Sequence, residues 1–272
     1  MNDGAALFGL GLVAGAYGTM IGAGGGFLIV PALLQVFHFP VLAAVGTSLC
    51  TVLANAASGT ASYARQKRID YRTGLVFAAA VVPGALGGAI VAKWWKLGSF
   101  SAVFGVLLVA LSVFIFVRPR DPHPPLRRRG LTPRVVEDAT GHRFRYAVDM
   151  RLGIIVSLFA GLASSLLGIG GGIIHVPVMI YWLGMPAHVA IATSHFILSL
   201  SSAVGVCVFS FERAIDWHGI VYLAPGAILG SQLGARLAAR LSGRWLTRFL
   251  AAALFLLGAR LLSTAFGEAA AR

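Results

Sequence analysis

Apolar residues along this chain come in long unbroken runs separated by short polar stretches. They occupy roughly residues 5–21, 27–37, 41–64, 74–92 and 99–117, and then 152–167, 173–183, 187–210, 219–235 and 246–264. A helix needs about 20 apolar residues to cross a hydrocarbon layer of about 30 Å, and most of these runs are of that length. Two runs, 27–37 and 173–183, are too short for a full crossing, and each follows a glycine cluster. The pattern predicts an all-α polytopic membrane protein of about eight transmembrane helices, or ten if both short segments cross fully. The long polar interruption at 118–151 divides it into a first repeat at 1–117 and a second at 152–272.

The two sets of runs are copies. At a fixed offset of 146 positions, Ile21-Gly22-Ala23-Gly24-Gly25-Gly26 returns as Leu167-Gly168-Ile169-Gly170-Gly171-Gly172, and Pro31 and Pro40 return as Pro177 and Pro186. Thr47-Ser48 returns as Thr193-Ser194, and Ile69-Asp70-Tyr71 as Ile215-Asp216-Trp217. A four-residue deletion then brings Pro83-Gly84-Ala85 onto Pro225-Gly226-Ala227. Registered matches of this number mark an internal duplication, a common way to build a transporter.

Composition agrees, with 58% hydrophobic residues, 11% charged and a mean hydropathy of +0.84. That is too little polar material to cover a water-soluble globule, whose charged fraction is normally about a quarter. The net charge of +13 does not signal nucleic-acid binding, because the basic residues gather in connecting segments and not along helix faces. Clustering of this kind follows from the resistance of Lys and Arg to translocation. If each glycine cluster makes a hairpin that enters and leaves on one side, the loops at 65–72, 118–151 and 236–248 share a face. That face carries seventeen basic residues, against Lys93, Lys96, Arg213 and Arg272 opposite, with Arg260 in a span. If each cluster only interrupts a crossing, the division falls to fifteen against six. The charge pattern therefore favours inverted repeats in an inner membrane, with the nine-arginine linker at 118–151 cytoplasmic and lacking a domain of its own. Met1-Asn2-Asp3 places no positive charge before the first apolar run, unlike a cleaved signal peptide.

Glycine costs about 1 kcal/mol relative to alanine in a helix, so a GAGGG or GIGGG run at membrane depth needs a compensating role. Close helix packing is one such role. The length of the runs, their repetition and the proline five residues later point instead to a broken or re-entrant helix. The exposed N–H groups that open such a half-helix favour an anion. The candidate substrate-binding set is thus Gly22, Gly24, Gly25 and Gly26 with Gly168, Gly170, Gly171 and Gly172, and the polar residues of the following spans: Thr47, Ser48, Asn55, Thr193, Ser194 and Ser201. Ser48 and Asn55 share a helix face, as do Ser194 and Ser201, being seven residues apart. Gln232, on one face with Arg236, is a further candidate. All nine acidic residues fall in termini, loops or helix ends. A cation carrier would want negative or convergent oxygen ligands in its spans, so the substrate expected is a small anion. Proton coupling would then fall to a histidine, and His195 and His175 are the two embedded in apolar sequence. The tryptophans, Trp94, Trp95, Trp182, Trp217 and Trp245, sit near segment ends as interfacial anchors. Cys50 and Cys207 fill apolar segments.

The GxGGGxxxxP run, the Thr-Ser pair, the Ile-Asp-aromatic and the Pro-Gly-Ala, each present twice, resemble the sulfite exporter TauE/SafE family of bacterial membrane permeases. The resemblance covers nearly the whole chain except the linker, which is longer and richer in arginine. It implies export of sulfite, a sulfonate or a related sulfur-containing anion, with the glycines and the Thr-Ser pairs as the motif positions. Leu49 stands opposite His195 in the repeat, so the halves are not chemically equivalent. A secondary transporter is the reading favoured; an anion channel and an intramembrane Ser/His hydrolase are the alternatives. The glycine runs lack the Lys-Ser/Thr of a phosphate-binding loop, and no GxSxG elbow is present. No cofactor is expected; a duplicated chain can hold its site alone, so a monomer suffices in principle, and the sequence leaves the oligomeric state open.

Overall fold

The computed structural model describes residues 2–92, 94, 97–117 and 130–270. Met1, Lys93, Trp95, Lys96, the stretch 118–129 and the last two residues lie outside the described residues. The first half runs α1 (Asn2–Ile21), α2 (Gly26–Gln35), α3 (Val41–Arg65), α4 (Tyr71–Ala92) and α5 (Leu97–Val117). The second repeats it as α6 (Met150–Leu167), α7 (Gly172–Tyr181), α8 (Ala187–Phe211), α9 (Trp217–Arg240) and α10 (Gly243–Ala270). Seven of these helices are long and apolar enough to cross a membrane. Helix α9 has 24 residues against the 22 of α4, includes Gln232, Arg236 and Arg240, and is not one of the seven. The ten-residue α2 and α7 are the short segments that follow the glycine clusters.

Short-range signals set the boundaries. Asp149 caps α6 by accepting from the N–H groups of Arg151 and Leu152, both at 3.1 Å. Asp216 and Asp70 cap α9 and α4 in the same way, accepting from Gly219 N–H at 3.0 Å and Thr73 N–H at 3.1 Å. Pro40 and Pro186 immediately precede α3 and α8, where a missing N–H does no harm.

The halves interlock. Helix α1 packs along α9 and α4 along α6, while α3 meets α8 and α5 meets α10. Small residues let the first two pairs approach closely. Gly226, Gly230 and Gly234 of α9 lie against Phe8, Leu12 and Ala16 of α1, so this pair runs parallel. Gly153 and Gly161 of α6 lie against Phe77 and Val81 of α4, again parallel. The repeat-related pairs run the other way: Gly46 meets Ala214 while Gly59 meets His195, and Gly105 meets Leu262 while Ser112 bonds to the Ala251 carbonyl. A two-fold axis along the helices would leave α3 and α8 parallel. Their antiparallel contact puts the axis across the helices, and the repeats are inverted.

The linker carries more structure than its composition suggests. Strands β1 (Thr132–Glu137) and β2 (Arg143–Val148) form an antiparallel hairpin, in register from Thr132 with Val148 to Glu137 with Arg143. It docks on the α3–α4 corner: Ala139 N–H donates to the Gln66 carbonyl at 2.9 Å, and Arg68 pairs with Asp138 at 3.2 Å. Tyr146 donates its hydroxyl to Asp70 Oδ2 at 2.8 Å, and Arg134 Nε donates to Thr73 Oγ1 at 3.2 Å. The expectation of a plain linker is corrected over 132–148, where alternation is short and interrupted by arginine. Val136, Tyr146 and Val148 are buried in that docking.

Candidate transport site

The glycine clusters break their helices because their backbones are left-handed. Gly22, Gly24 and Gly25 have φ of 82°, 77° and 82°, and Gly168, Gly170 and Gly171 have 71°, 76° and 81°. Residues with a Cβ avoid this region. Gly25 and Gly171 become the N-caps of α2 and α7, and no side chain caps either helix. The first N–H groups of each half-helix therefore lack intrahelical partners and carry the positive end of its dipole.

The turns meet midway along the long helices. A Cβ on Gly26 would lie 2.6 Å from the Gly168 carbonyl, and one on Gly172 would lie 2.4 Å from that of Gly22. Gly24 and Gly170 both rest against Val52 and Leu198, which are themselves repeat partners at the centres of α3 and α8. With Ala56 these two form a small, fully buried apolar cluster.

The Thr-Ser pairs bind the halves to one another. Ser48 donates to the Gly168 carbonyl at 2.7 Å and Ser194 to the Gly22 carbonyl at 2.9 Å. Thr47 Oγ1 accepts from Asp216 N–H at 2.9 Å, and Thr193 Oγ1 from Asp70 N–H at 3.0 Å. Each pair thus fastens a glycine turn and a helix start of the opposite half. Asn55 joins the first turn directly, its Nδ2 donating to the Gly24 carbonyl at 2.8 Å. Its counterpart Ser201 faces Ser164 at 3.3 Å instead.

Both histidines are buried beside the turns. His175 Nδ1 lies 3.2 Å from the Gly171 carbonyl and its Nε2 3.1 Å from Ser157 Oγ. His195 Nε2 lies 3.2 Å from Thr19 Oγ1, and its ring meets Tyr63 edge-on at 5.5 Å. Gln232 is committed elsewhere, bonding to Ser62 at 2.6 Å and to Ser58 at 2.7 Å across the α3–α9 contact. Its neighbour Arg236 is exposed. Among the described residues no three His, Cys, Asp or Glu side chains gather as metal ligands.

Four residues at the centre carry no sequence signal of their own: Thr19, Val52, Leu198 and Tyr63, whose hydroxyl donates to the Thr19 carbonyl at 2.7 Å. The 146-residue offset would have registered Val52 with Leu198 and Thr19 with Ser165. Neither pair is identical, so neither stands out.

Two glycine turns on inverted half-helices are the framework against which known proteins can be compared. The pattern of the sulfite exporter TauE/SafE family matches residues 7–261. The chain belongs to the TauE/SafE family. It is 33% identical over 260 residues to the Probable membrane transporter protein YunE of Bacillus subtilis, covering 93% of this chain and 95% of that one. A Probable membrane transporter protein of Xylella fastidiosa is 28% identical over 222 residues, 81% of this chain and 78% of its own. MJ0441 of Methanocaldococcus jannaschii, also a Probable membrane transporter protein, is 26% identical over 203 residues, 72% and 68% of the two chains. No solved structure matches. As a TauE/SafE protein with seven long apolar helices, the chain is a multi-pass membrane transporter.

Proposed function

We propose that this transporter is a secondary exporter of a small sulfur-containing anion, such as sulfite or an organosulfonate, held between the two glycine turns in an inner membrane. The observation that carries this reading is the pair of uncapped half-helix starts, Gly25-Gly26 and Gly171-Gly172, brought together at mid-depth by inverted halves. Partial positive charge from N–H groups suits an oxyanion, whose oxygens accept hydrogen bonds in several directions. Asn55 and Ser201 stand beside the turns as further polar contacts. Ser48 and Ser194 hold the turns in shape through their carbonyls, and Thr47 and Thr193 tie them to the helix starts at the two faces. Val52 and Leu198 close the site in this conformation. Exchange of access requires the halves to rock, making and breaking the Thr193–Asp70 contact at one face and the Thr47–Asp216 contact at the other. The face bearing the linker hairpin is cytoplasmic in this reading.

The test is a thermal-shift panel of sulfite, sulfate, thiosulfate, sulfoacetate, taurine and simple organic acids, followed by counterflow of the best ligand in proteoliposomes. A ligand at a hundred times its Kd stabilises the native state by about 2.7 kcal/mol. Sulfur oxyanions or sulfonates should raise the transition temperature, and Gly172→Ala, whose Cβ would collide with the Gly22 carbonyl, should abolish the shift. A panel without any shift, together with absent counterflow, would reject the substrate class.

A further inference from the structure

The centre of the molecule obeys its two-fold symmetry at the Thr-Ser pairs and departs from it along one hydrogen-bond chain. That chain runs from His195 to Thr19, from Thr19 to Asn55 at 2.8 Å, and from Asn55 to the Gly24 carbonyl. At the repeat offset its members become Leu49, Ser165 and Ser201. Ser165 Oγ is buried and has no partner among the described residues.

Counting donors fixes the proton on His195. The Gly24 carbonyl only accepts, so Asn55 turns Nδ2 toward it and Oδ1 toward Thr19. Oδ1 only accepts, so Thr19 spends its single hydroxyl hydrogen there. Thr19 Oγ1 must then accept from His195, and Nε2 carries the hydrogen. In the neutral ring Nδ1 is bare. It is buried and has no hydrogen-bond partner among the described residues. His175 is the opposite case. Its Nδ1 must donate to the Gly171 carbonyl, its Nε2 accepts from Ser157, and the neutral ring is satisfied at both ends.

We propose that His195 Nδ1 is a binding site for a transported proton, linked through Thr19 and Asn55 to the first glycine turn, so that anion and proton cross together. This rests on the reading of the glycine turns as the anion site. The proton comes from water on the side to which the site is open, forms the N–H bond to Nδ1, and returns to water on the other side; no other covalent bond changes. The charged ring strengthens each hydrogen bond toward Gly24 and sets a positive charge beside the anion. Few groups compete with it. Helix α1 presents Thr19 to the ring, and α3 presents Gly59 and the phenol Tyr63, on which Arg68 acts from the loop that follows that helix. Arg68 is itself paired with Asp138. The neighbouring α4 brings Asp70, already held by Thr73, Tyr146 and Arg134, while α9 contributes neutral Gln232 and α7 the satisfied His175.

The deciding experiment is ¹⁵N NMR of histidine-labelled full-length protein in lipid nanodiscs, with His195 assigned through His195→Gln and His175 through His175→Gln. At alkaline pH His195 should show the Nε2–H tautomer. Acidification should protonate Nδ1 while His175 stays Nδ1–H and neutral. An Nδ1–H tautomer at alkaline pH, or a ring that never titrates, would overturn the proposal. In a second arm, pyranine-loaded liposomes receive a gradient of thiosulfate, which carries no proton of its own at neutral pH. Wild-type protein should acidify the lumen as thiosulfate enters. In His195→Gln, which keeps a donor toward Thr19, the proton signal per thiosulfate moved should fall; a ratio equal to that of the wild type refutes the coupling. Wild-type protein that moves no thiosulfate counts against that anion as substrate, and the NMR titration alone then decides the proton site.

Discussion

Hydroxyl and amide side chains at the centre of this transporter serve carbonyls of distant segments. Ser48 reaches Gly168, Ser194 reaches Gly22, and Asn55 reaches Gly24. Leaving a buried polar group without its partner costs about 1–3 kcal/mol. Asn55→Ala strips both the Gly24 carbonyl and the Thr19 hydroxyl, whereas Ser201→Ala loses a single long contact to Ser164. Unfolding in detergent should therefore show Asn55→Ala more destabilised by about 1–3 kcal/mol, and equal losses would contradict the assigned network. The glycines were legible in the sequence because glycine is costly in a helix and has to be explained. The partners of Thr47 and Thr193 were not, because a hydroxyl names no acceptor and each partner lies in the other half. A buried Ser or Thr also has a local alternative in its own helix, as Ser202 shows by donating to the Leu198 carbonyl. For Gln232, helix-face logic identified a polar stripe but not that α3 would meet it.

The helices are held by seams of small residues, and individual glycines on one helix differ in what they face. A Cβ on Gly84 of α4 would lie 2.0 Å from the Leu158 carbonyl of α6, while one on Gly87 would meet nothing within 4 Å. Gly87→Ala should leave the transition temperature unchanged or raise it, with a ceiling of about 1 kcal/mol from helix propensity, and Gly84→Ala should lower it clearly. Thermal unfolding of the two variants side by side checks the seam. The linker hairpin is a different kind of element, held by charge and hydrogen bonds outside the spans. Although burial pushes the Asp138 carboxyl up, hydrogen bonds from Thr140, His142 and Arg68 outweigh it and leave the group low, at about 2. A depressed carboxylate stabilises the docked hairpin fully above its unfolded value of about 3.9, and that contribution fades as pH falls from there toward 2. Tyr146 is pushed up by burial and by the adjacent Asp70, so it stays protonated as a donor. Hydrogen exchange across 132–148 should show protection constant from neutral pH to about 5 and lost progressively from about 4 toward 2, and Asp138→Asn should show the loss already at neutral pH. Protection unaffected by acid would mean that Val136, Tyr146 and Val148 hold the hairpin by burial alone.

At the scale of the whole molecule, number, length and duplication of the helices were readable from apolar runs and a constant offset. Inversion was readable too, though only through the uneven distribution of Lys and Arg, because a linear repeat does not say which way its copy faces. The contacts supply the missing direction, with Gly46 against Ala214 and Gly59 against His195. In an oriented membrane, single cysteines replacing Arg72 and Arg143 should react from one side with an impermeant maleimide, and one replacing Arg213 from the other. Labelling of all three from the same side would refute the inverted arrangement.

The exchange of helices between halves also bears on how the protein is made. The glycine face of α4 has no partner until α6 has been synthesised, and α1 waits longer still, for α9. A ribosome that has released only the first half has thus placed in the bilayer a unit with two adhesive surfaces and nothing of its own to cover them. The natural complement of those surfaces is the same unit inserted upside down.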